Sequence, residues 1–240
     1  MKKDECFQER RTMRSNRDEK AFFYDRFAEQ FDSKMNMYDT NRRLEVIFQG
    51  LLNDNLRGKS LLDAGSGTGW FSRQATLRGA QVVSLDVGVN LLAQVSKKCN
   101  TPKIAGSVLD LPFADGCFDV VLSTEVIEHT SNPRRGIEEM HRVLKKKGVL
   151  VLTVPNKVWH PAIVIANRLG RPYEGYENWV GWFELRRWLG EIGFSTSEIR
   201  GIHLFPFIFS FTHRMLRYLD RFGKAVGPVM LNICVRAVKD

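Results

Sequence analysis

The chain has 240 residues, with 36 Lys/Arg against 27 Asp/Glu, so its formal net charge is +9. That length suits one α/β domain with a sizeable core and a small cap, and four scattered cysteines (Cys6, Cys99, Cys117 and Cys234) argue against a disulfide framework and point to a reduced, cytoplasmic compartment. The charged N-terminus has no secretory pattern, and the longest apolar stretches, near 161–166 and 204–211, are too short to span a bilayer.

Residues 1–20 mix both charge signs without an apolar period and read as a disordered basic tail, leaving 21–240 as the folded domain. Helical periodicity starts at Ala21 and gathers Phe22, Phe23, Phe27 and Phe31; a second helix is expected over 41–54. Strands at 59–64, 80–86, 102–107, 117–124 and 148–155 then alternate with helices at 69–78, 89–98 and 133–145. Alternation of this kind predicts a mostly parallel sheet with helices on both faces. Residues 157–180 lack a clean period, carry Trp159, His160, Tyr173, Tyr176 and Trp179, and read as a lid or substrate loop. A helix at 182–192, a strand at 195–203, an insertion at 204–228 and a last strand at 229–238 complete the chain.

The chemistry concentrates at the strand ends. Leu61-Leu62-Asp63-Ala64-Gly65-Ser66-Gly67-Thr68-Gly69 is an apolar run ending in an acid, followed by three alternating glycines and a helix start. Glycine permits positive φ and close approach of a ligand to the main chain, and a helix N-terminus offers unpaired N–H groups. The second strand ends in Asp86-Val87, and a carboxylate there can accept from two ribose hydroxyls. A dinucleotide fingerprint needs a further glycine where Trp70 stands and has no use for an acid at Asp63. Both departures favour S-adenosylmethionine. Ligands of open parallel sheets bind outside the carboxyl ends of the strands, where Asp63, Asp86, Ser107 and Glu125 all fall.

On these segments, and on Leu111-Pro112-Phe113, Glu125-Val126-Ile127-Glu128-His129 and Val154-Pro155-Asn156, the chain resembles the class I, Rossmann-like S-adenosylmethionine-dependent methyltransferases. Within them it is most similar to the O-methyltransferases of ubiquinone biosynthesis. The resemblance implies a seven-stranded sheet with an antiparallel final strand and helical caps at both ends. It assigns Arg43 to the cofactor carboxylate, Gly65 to its methionine portion, Asp86 to the ribose and the Thr124 backbone to the cofactor wall. It also implies that the N-terminal helix, with Tyr24, folds over the cofactor. Asp63, Ser66, Gly67 and Val87 belong to the same expected cofactor-binding set. Many relatives have Gly-Asp where this chain has Gly106-Ser107, so adenine recognition falls to Ser107, the Val108 backbone or Asp110.

Methyl transfer from a sulfonium is a displacement in which the cofactor brings the electrophile and the protein supplies alignment. An oxygen acceptor also needs its proton removed, so His129 and Glu125 are the catalytic candidates. On a helix starting at Glu125, that residue shares a face with Glu128 and His129, a set able to hold a divalent cation such as magnesium or to act as base and orienter. The resembled family associates the triplet with a divalent metal. Alternatively Glu125 caps the helix, Glu128 pairs with Arg134 or Arg135, and His129 bonds a loop. His160, His203 and His213 are weaker candidates.

Taken as one helix, 211–226 places Phe211, Met215, Leu219, Phe222 and Val226 on one face and Arg214, Arg217, Arg221 and Lys224 opposite. With Leu204-Phe205-Pro206-Phe207-Ile208-Phe209 before it, this segment reads as peripheral contact of 204–226 with an anionic membrane, or as a cap packed on the core. The expected function is methylation of a hydroxyl on a small, apolar or lipid-linked acceptor. C- or N-methylation on the same fold and a non-catalytic membrane-associated scaffold are the alternatives. No nucleic-acid module accompanies the positive charge.

Overall fold

The computed structural model describes residues 22–54, 56–167, 177–206 and 210–240. Seven strands form one sheet in the order β3-β2-β1-β4-β5-β7-β6. They are β1 (Ser60–Ala64), β2 (Gln81–Asp86), β3 (Lys103–Ala105), β4 (Phe118–Thr124), β5 (Leu144–Pro155), β6 (Phe194–Ile202) and β7 (Asn232–Lys239). β1 to β5 run parallel, with Leu62 opposite Val83 and Val121 opposite Leu150. β7 inserts between β5 and β6 and is antiparallel to both, as the resemblance implied.

Helices α1 (Ala28–Lys34), α2 (Met37–Glu45), α3 (Trp70–Leu77), α4 (Val89–Val95), α5 (Pro133–Val143), α6 (His160–Asn167), α7 (Trp182–Ile192), α8 (His213–Leu219) and α9 (Gly223–Val226) accompany the sheet. Their starts have local causes. The Asn36 side chain accepts from the Tyr38 and Asp39 amides to open α2. Asn132 does the same for α5 through the Arg135 amide, with Pro133 at the first position, where its missing N–H costs nothing.

One core lies on each side of the sheet. Leu62, Val121, Ile137, Met140, Leu152 and Leu185 are fully buried on one face. Ile47, Phe48, Leu51, Leu61, Leu122 and Val151 fill the other. Strands covered on both faces read as near-continuous apolar runs, which is why the central ones were legible. Far from the ligand edge, Asp119 accepts from the Ser60 amide (2.9 Å) and hydroxyl (2.7 Å) and from Lys145 (3.0 Å), pinning β1 to β4. Burial opposes its charge, but these donors outweigh that and hold its carboxyl at about 2.

Three expectations change. The helix expected over 41–54 begins earlier, at Met37, and continues as a π-helical segment at Val46–Leu51. Only a short 3₁₀ turn, Ile127–His129, forms where a helix from Glu125 was anticipated. The 211–226 segment is broken into Ser210–Thr212 (3₁₀), α8, Asp220–Phe222 (3₁₀) and α9. The expected tail (1–20), Tyr173 and Tyr176 of the lid, and Phe207, Ile208 and Phe209 lie outside the described residues.

Candidate active site

A cavity of about 1020 Å³ opens at the carboxyl edge of the parallel strands. Ser107 and Val108 line it after β3, Asp86 and Val87 at the end of β2, Gly65, Ser66 and Gly67 after β1, and Thr124, Glu125 and His129 after β4. These four strand tips are adjacent, so the wall extends over three interstrand steps, roughly 14 Å.

The glycine loop is shaped for an extended ligand. Gly65 has φ 85°, and a Cβ there would lie 2.4 Å from Cγ2 of Val126, so no side chain fits. Gly67, at φ 52°, faces open space. The Asp86 carboxylate accepts from the Gly67 and Gly88 amides, both at 2.9 Å. A carboxylate has about four lone-pair sites, so acceptor capacity remains for a pair of hydroxyls. Burial pushes the Asp86 pKa up, against the pull of those two amides.

Asp63 does not line the cavity, which corrects its assignment to cofactor contact. Its carboxyl is fully buried beneath the loop, where Ser72 Oγ donates to it at 2.6 Å. Ser72, Ser84 and Thr101 continue the chain at 2.7 and 2.8 Å. Burial raises the Asp63 pKa to about 7. Asp63 thus ties β1 to the first turn of α3, the two elements that the glycine loop joins. Asp110 is exposed and absent from the wall, whereas Ser107 and Val108 line it.

The N-terminal segment covers the loop, and two residues that sequence reasoning missed anchor it. Asp25 accepts from the Asn90 amide (2.8 Å), the Leu91 amide (3.0 Å) and the Asn90 side chain (2.9 Å), thereby capping α4. Asp32 accepts from Thr68 Oγ1 (2.5 Å), Trp70 Nε1 (3.1 Å) and Lys98 Nζ (2.6 Å). The available signal was an acid inside the aromatic run Phe22–Phe31, Asp25, and a second, Asp32, directly after it. Tyr24, Phe27, Phe31 and Trp70 consequently form an aromatic wall of the cavity.

Arg43 reaches the cavity from α2 while buried. Its Nη2 donates to Asp39 at 2.5 Å, and its Nε has no hydrogen-bond partner. Burial works against the guanidinium charge, but Asp39 and then Glu125 outweigh it and raise its pKa above the usual arginine value. Asp39 in turn contacts His203 Nε2 at 3.1 Å, while Asp220 accepts from the His203 amide (2.7 Å) and Arg42 Nε (2.7 Å). A guanidinium that lines the cavity suits an anionic ligand group, so Arg43 fits the carboxylate role the resemblance gave it.

The Glu-x-x-Glu-His segment is not the converging triplet anticipated. Glu125 has φ 54°, and its carboxylate turns into the sheet to accept from Thr153 Oγ1 (2.9 Å) and Asn232 Nδ2 (3.0 Å). Glu128 is buried with Oε2 unpartnered, and burial and then Glu125 hold its pKa well above the carboxylate range. Its other oxygen is 3.9 Å from His129 Nε2. Arg134 and Arg135 pair with Glu138, Glu139 and Glu191 instead of Glu128. Among the described residues no group of three or more His, Cys, Asp or Glu could hold a metal ion, so Glu125, Glu128 and His129 do not fit the divalent-cation site. Glu125 and His129 both line the cavity and Glu128 does not; the His129 ring lies beside Tyr24, whose hydroxyl is 3.4 Å from Nε2.

The weaker histidines have structural surroundings. His203 is buried against Asp39, His160 packs edge-on against Trp179, and His213 stacks on Tyr38 with centroids 3.6 Å apart.

This sheet order, with its glycine loop, strand-end carboxylate and capping N-terminal helix, defines a class I, Rossmann-like methyltransferase fold with a site for S-adenosylmethionine. Residues 62–152 match the methyltransferase domain family, and over that stretch the chain is similar to S-adenosylmethionine-dependent methyltransferases. It is similar to an uncharacterized protein of Methanocaldococcus jannaschii (35% identity; 56% of this chain, 60% of that one). It is also similar to a demethylmenaquinone methyltransferase of Paenarthrobacter aurescens (30% identity; 68% of this chain, 64% of that one). The chain thus spans less than two thirds of the length of either relative. Magnesium protoporphyrin IX methyltransferase from Synechocystis PCC 6803 with bound SAH has the same fold, with a TM-score of 0.61 at 17% identity over 84% of each chain.

Proposed function

We propose that this chain transfers the methyl group of S-adenosylmethionine to a hydroxyl of a small, apolar or lipid-linked acceptor. The carrying observation is the joint wall of one cavity. Asp86 and Arg43 offer an acceptor and a buried cation for a nucleoside amino acid, and aromatic side chains with His129 stand over them. When bound, the cofactor supplies an electrophilic methyl group on a sulfonium. The chain's residues do the rest. Arg43 would hold the carboxylate, Asp86 the ribose hydroxyls, and Ser107 with Val108 the adenine edge. The aromatic wall excludes water and gives an apolar acceptor a surface to lie on. The His129 ring, with the Tyr24 hydroxyl 3.4 Å from Nε2, would accept the acceptor's proton at whichever ring nitrogen carries the free lone pair, a role typically worth about 10²–10⁴ in rate.

The similarity to a demethylmenaquinone methyltransferase supports an apolar ring acceptor. The test is incubation of the chain with methyl-labelled S-adenosylmethionine and a lipid extract, read by mass spectrometry. A labelled lipid-soluble phenol is expected. A labelled glycan or peptide would overturn the acceptor class, and cofactor uptake without any labelled product would overturn catalysis.

A further inference from the structure

The insertion between β6 and β7 packs differently from the face its sequence suggested. Leu216, Asp220, Gly223 and Gly227 turn inward, while Leu219 is only half-buried. The two glycines are required by contact: a Cβ on Gly223 would lie 2.2 Å from the Gly201 carbonyl oxygen, and one on Gly227 would lie 2.3 Å from the Trp182 ring. Tight backbone packing along that line leaves the other aliphatic and aromatic side chains outside. Phe211 is 82% exposed, Met215 49%, Tyr218 53%, Phe222 48% and Val229 53%.

The basic residues share this outer surface instead of opposing it. Arg214, Arg217, Arg221 and Lys224 are all exposed, whereas Asp220, the sole acid of 210–229, is fully buried. Arg221 lies over the Tyr218 ring at 3.9 Å, and Arg217 and Lys224 reach Glu45 and Glu198 at the rim. The patch adjoins the cavity mouth: His213 stacks on Tyr38, the Tyr38 hydroxyl donates to the His213 carbonyl (3.0 Å), and the neighbouring Met35 and Asn36 line the cavity.

We propose that residues 210–229 form a peripheral docking surface for an anionic lipid bilayer, seated so that the cavity mouth lies against the membrane. Two physical terms converge on that occupant. Burying phenylalanine, methionine and valine side chains favours a hydrocarbon boundary, which neither a phosphate backbone nor an acidic peptide supplies. Arg214 and Arg221, to which no carboxylate is paired among the described residues, favour negatively charged headgroups, while Arg217 and Lys224 are held at the rim by Glu45 and Glu198. The surface stands independently of methyl transfer. Together with that reading it would let a lipid-linked acceptor pass from bilayer to cavity without crossing water.

The test is co-sedimentation of the full chain with vesicles of phosphatidylcholine alone or with phosphatidylglycerol added. Binding is expected only to the anionic vesicles, and it should weaken at high salt. Arg214→Gln and Arg221→Gln should each lower partitioning about 5-fold. Phe211→Ser with Phe222→Ser should lower it at least about tenfold. These side chains are exposed, so circular dichroism and calorimetric uptake of S-adenosylmethionine should stay unchanged in every variant. Failure of cofactor uptake in the parent chain would count against the methyltransferase reading and not against docking. Absence of anionic-vesicle binding, or equal binding by all variants, would overturn the proposal. So would a dimer that dissociates on the Phe substitutions, or RNA binding in place of vesicle binding.

Discussion

Asp63 offers a measurement that isolates one buried group. Its carboxyl sits beneath the glycine loop with a pKa raised by burial from 3.8 to about 7, and its partner Ser72 donates at 2.6 Å. A raised folded-state pKa means the folded chain binds this proton more tightly than the unfolded chain. The resulting stabilisation is complete below the unfolded value of 3.8 and is lost as pH rises through about 7. With about 1.4 kcal/mol per unit, the linkage integral between pH 5 and pH 8 removes about 2–3 kcal/mol from this group alone. Asp63→Asn keeps the shape and still accepts from Ser72, but it cannot ionise. Urea unfolding of both proteins at the two pH values should show the parent losing about 2–3 kcal/mol more than the variant. Any constant offset from the substitution cancels in that double difference. Parallel pH profiles, within about 0.5 kcal/mol, would refute the claim that a buried, nearly neutral carboxyl supports the loop.

The remaining predictions concern ligand and chemistry. Arg43→Gln should weaken S-adenosylmethionine binding by about 10- to 150-fold in calorimetry, the range for a hydrogen bond to a charged group. It should also destabilise the fold by about 3–5 kcal/mol through the orphaned Asp39; adding Asp39→Asn should recover stability but not binding. Gly65→Ala should abolish cofactor uptake, and Val126→Ala in the same chain should relieve the 2.4 Å clash without restoring full affinity, because φ at position 65 stays at 85°. His129→Ala should lower kcat about 10²–10⁴-fold with cofactor affinity unchanged, as measured with the acceptor found by isotope labelling; an unaltered kcat would remove His129 from the reaction.

The parallel half of the sheet was legible because β1, β2 and β4 are largely apolar runs that end at the cavity. Asp86 and Thr124 terminate strands, and the glycine loop follows another, so chain position alone gathers them at one edge. What the sequence hid was direction. Asp63 lies inside β1, opposite Leu122, and its side chain turns inward to Ser72, whereas Glu125 follows the end of β4. A positive φ swings Glu125 toward Thr153 and Asn232, partners 28 and 107 residues away. No local period encodes either turn. The insertion failed for a related reason: a helical wheel assumes one continuous axis, and two 3₁₀ turns reset the phase, so that Leu216 faces inward while Phe211 and Phe222 face out.

The buried charges behind the cavity explain why a short insertion far along the chain bears on the cofactor wall. Arg42 and Arg43 are adjacent on α2 but diverge. Arg42 meets Asp220 of the insertion, and Arg43 meets Asp39 and the cavity. His203 joins the two branches, its amide donating to Asp220 and its ring touching Asp39. Burial disfavours each ion, and only mutual pairing makes the set tolerable; Asp39 shows the balance, its pKa lowered despite burial because Arg43 and His203 outweigh the desolvation. A half-satisfied network of this kind is worse than none. Loss of Asp220 should therefore be felt at Arg43: Asp220→Ala should weaken S-adenosylmethionine uptake although residue 220 lies outside the cavity wall. Calorimetry of that variant beside Arg217→Gln, which removes the pair with Glu45 but leaves Arg42 bonded to Glu45 and Asp220, separates a buried electrostatic frame from simple loosening of the insertion.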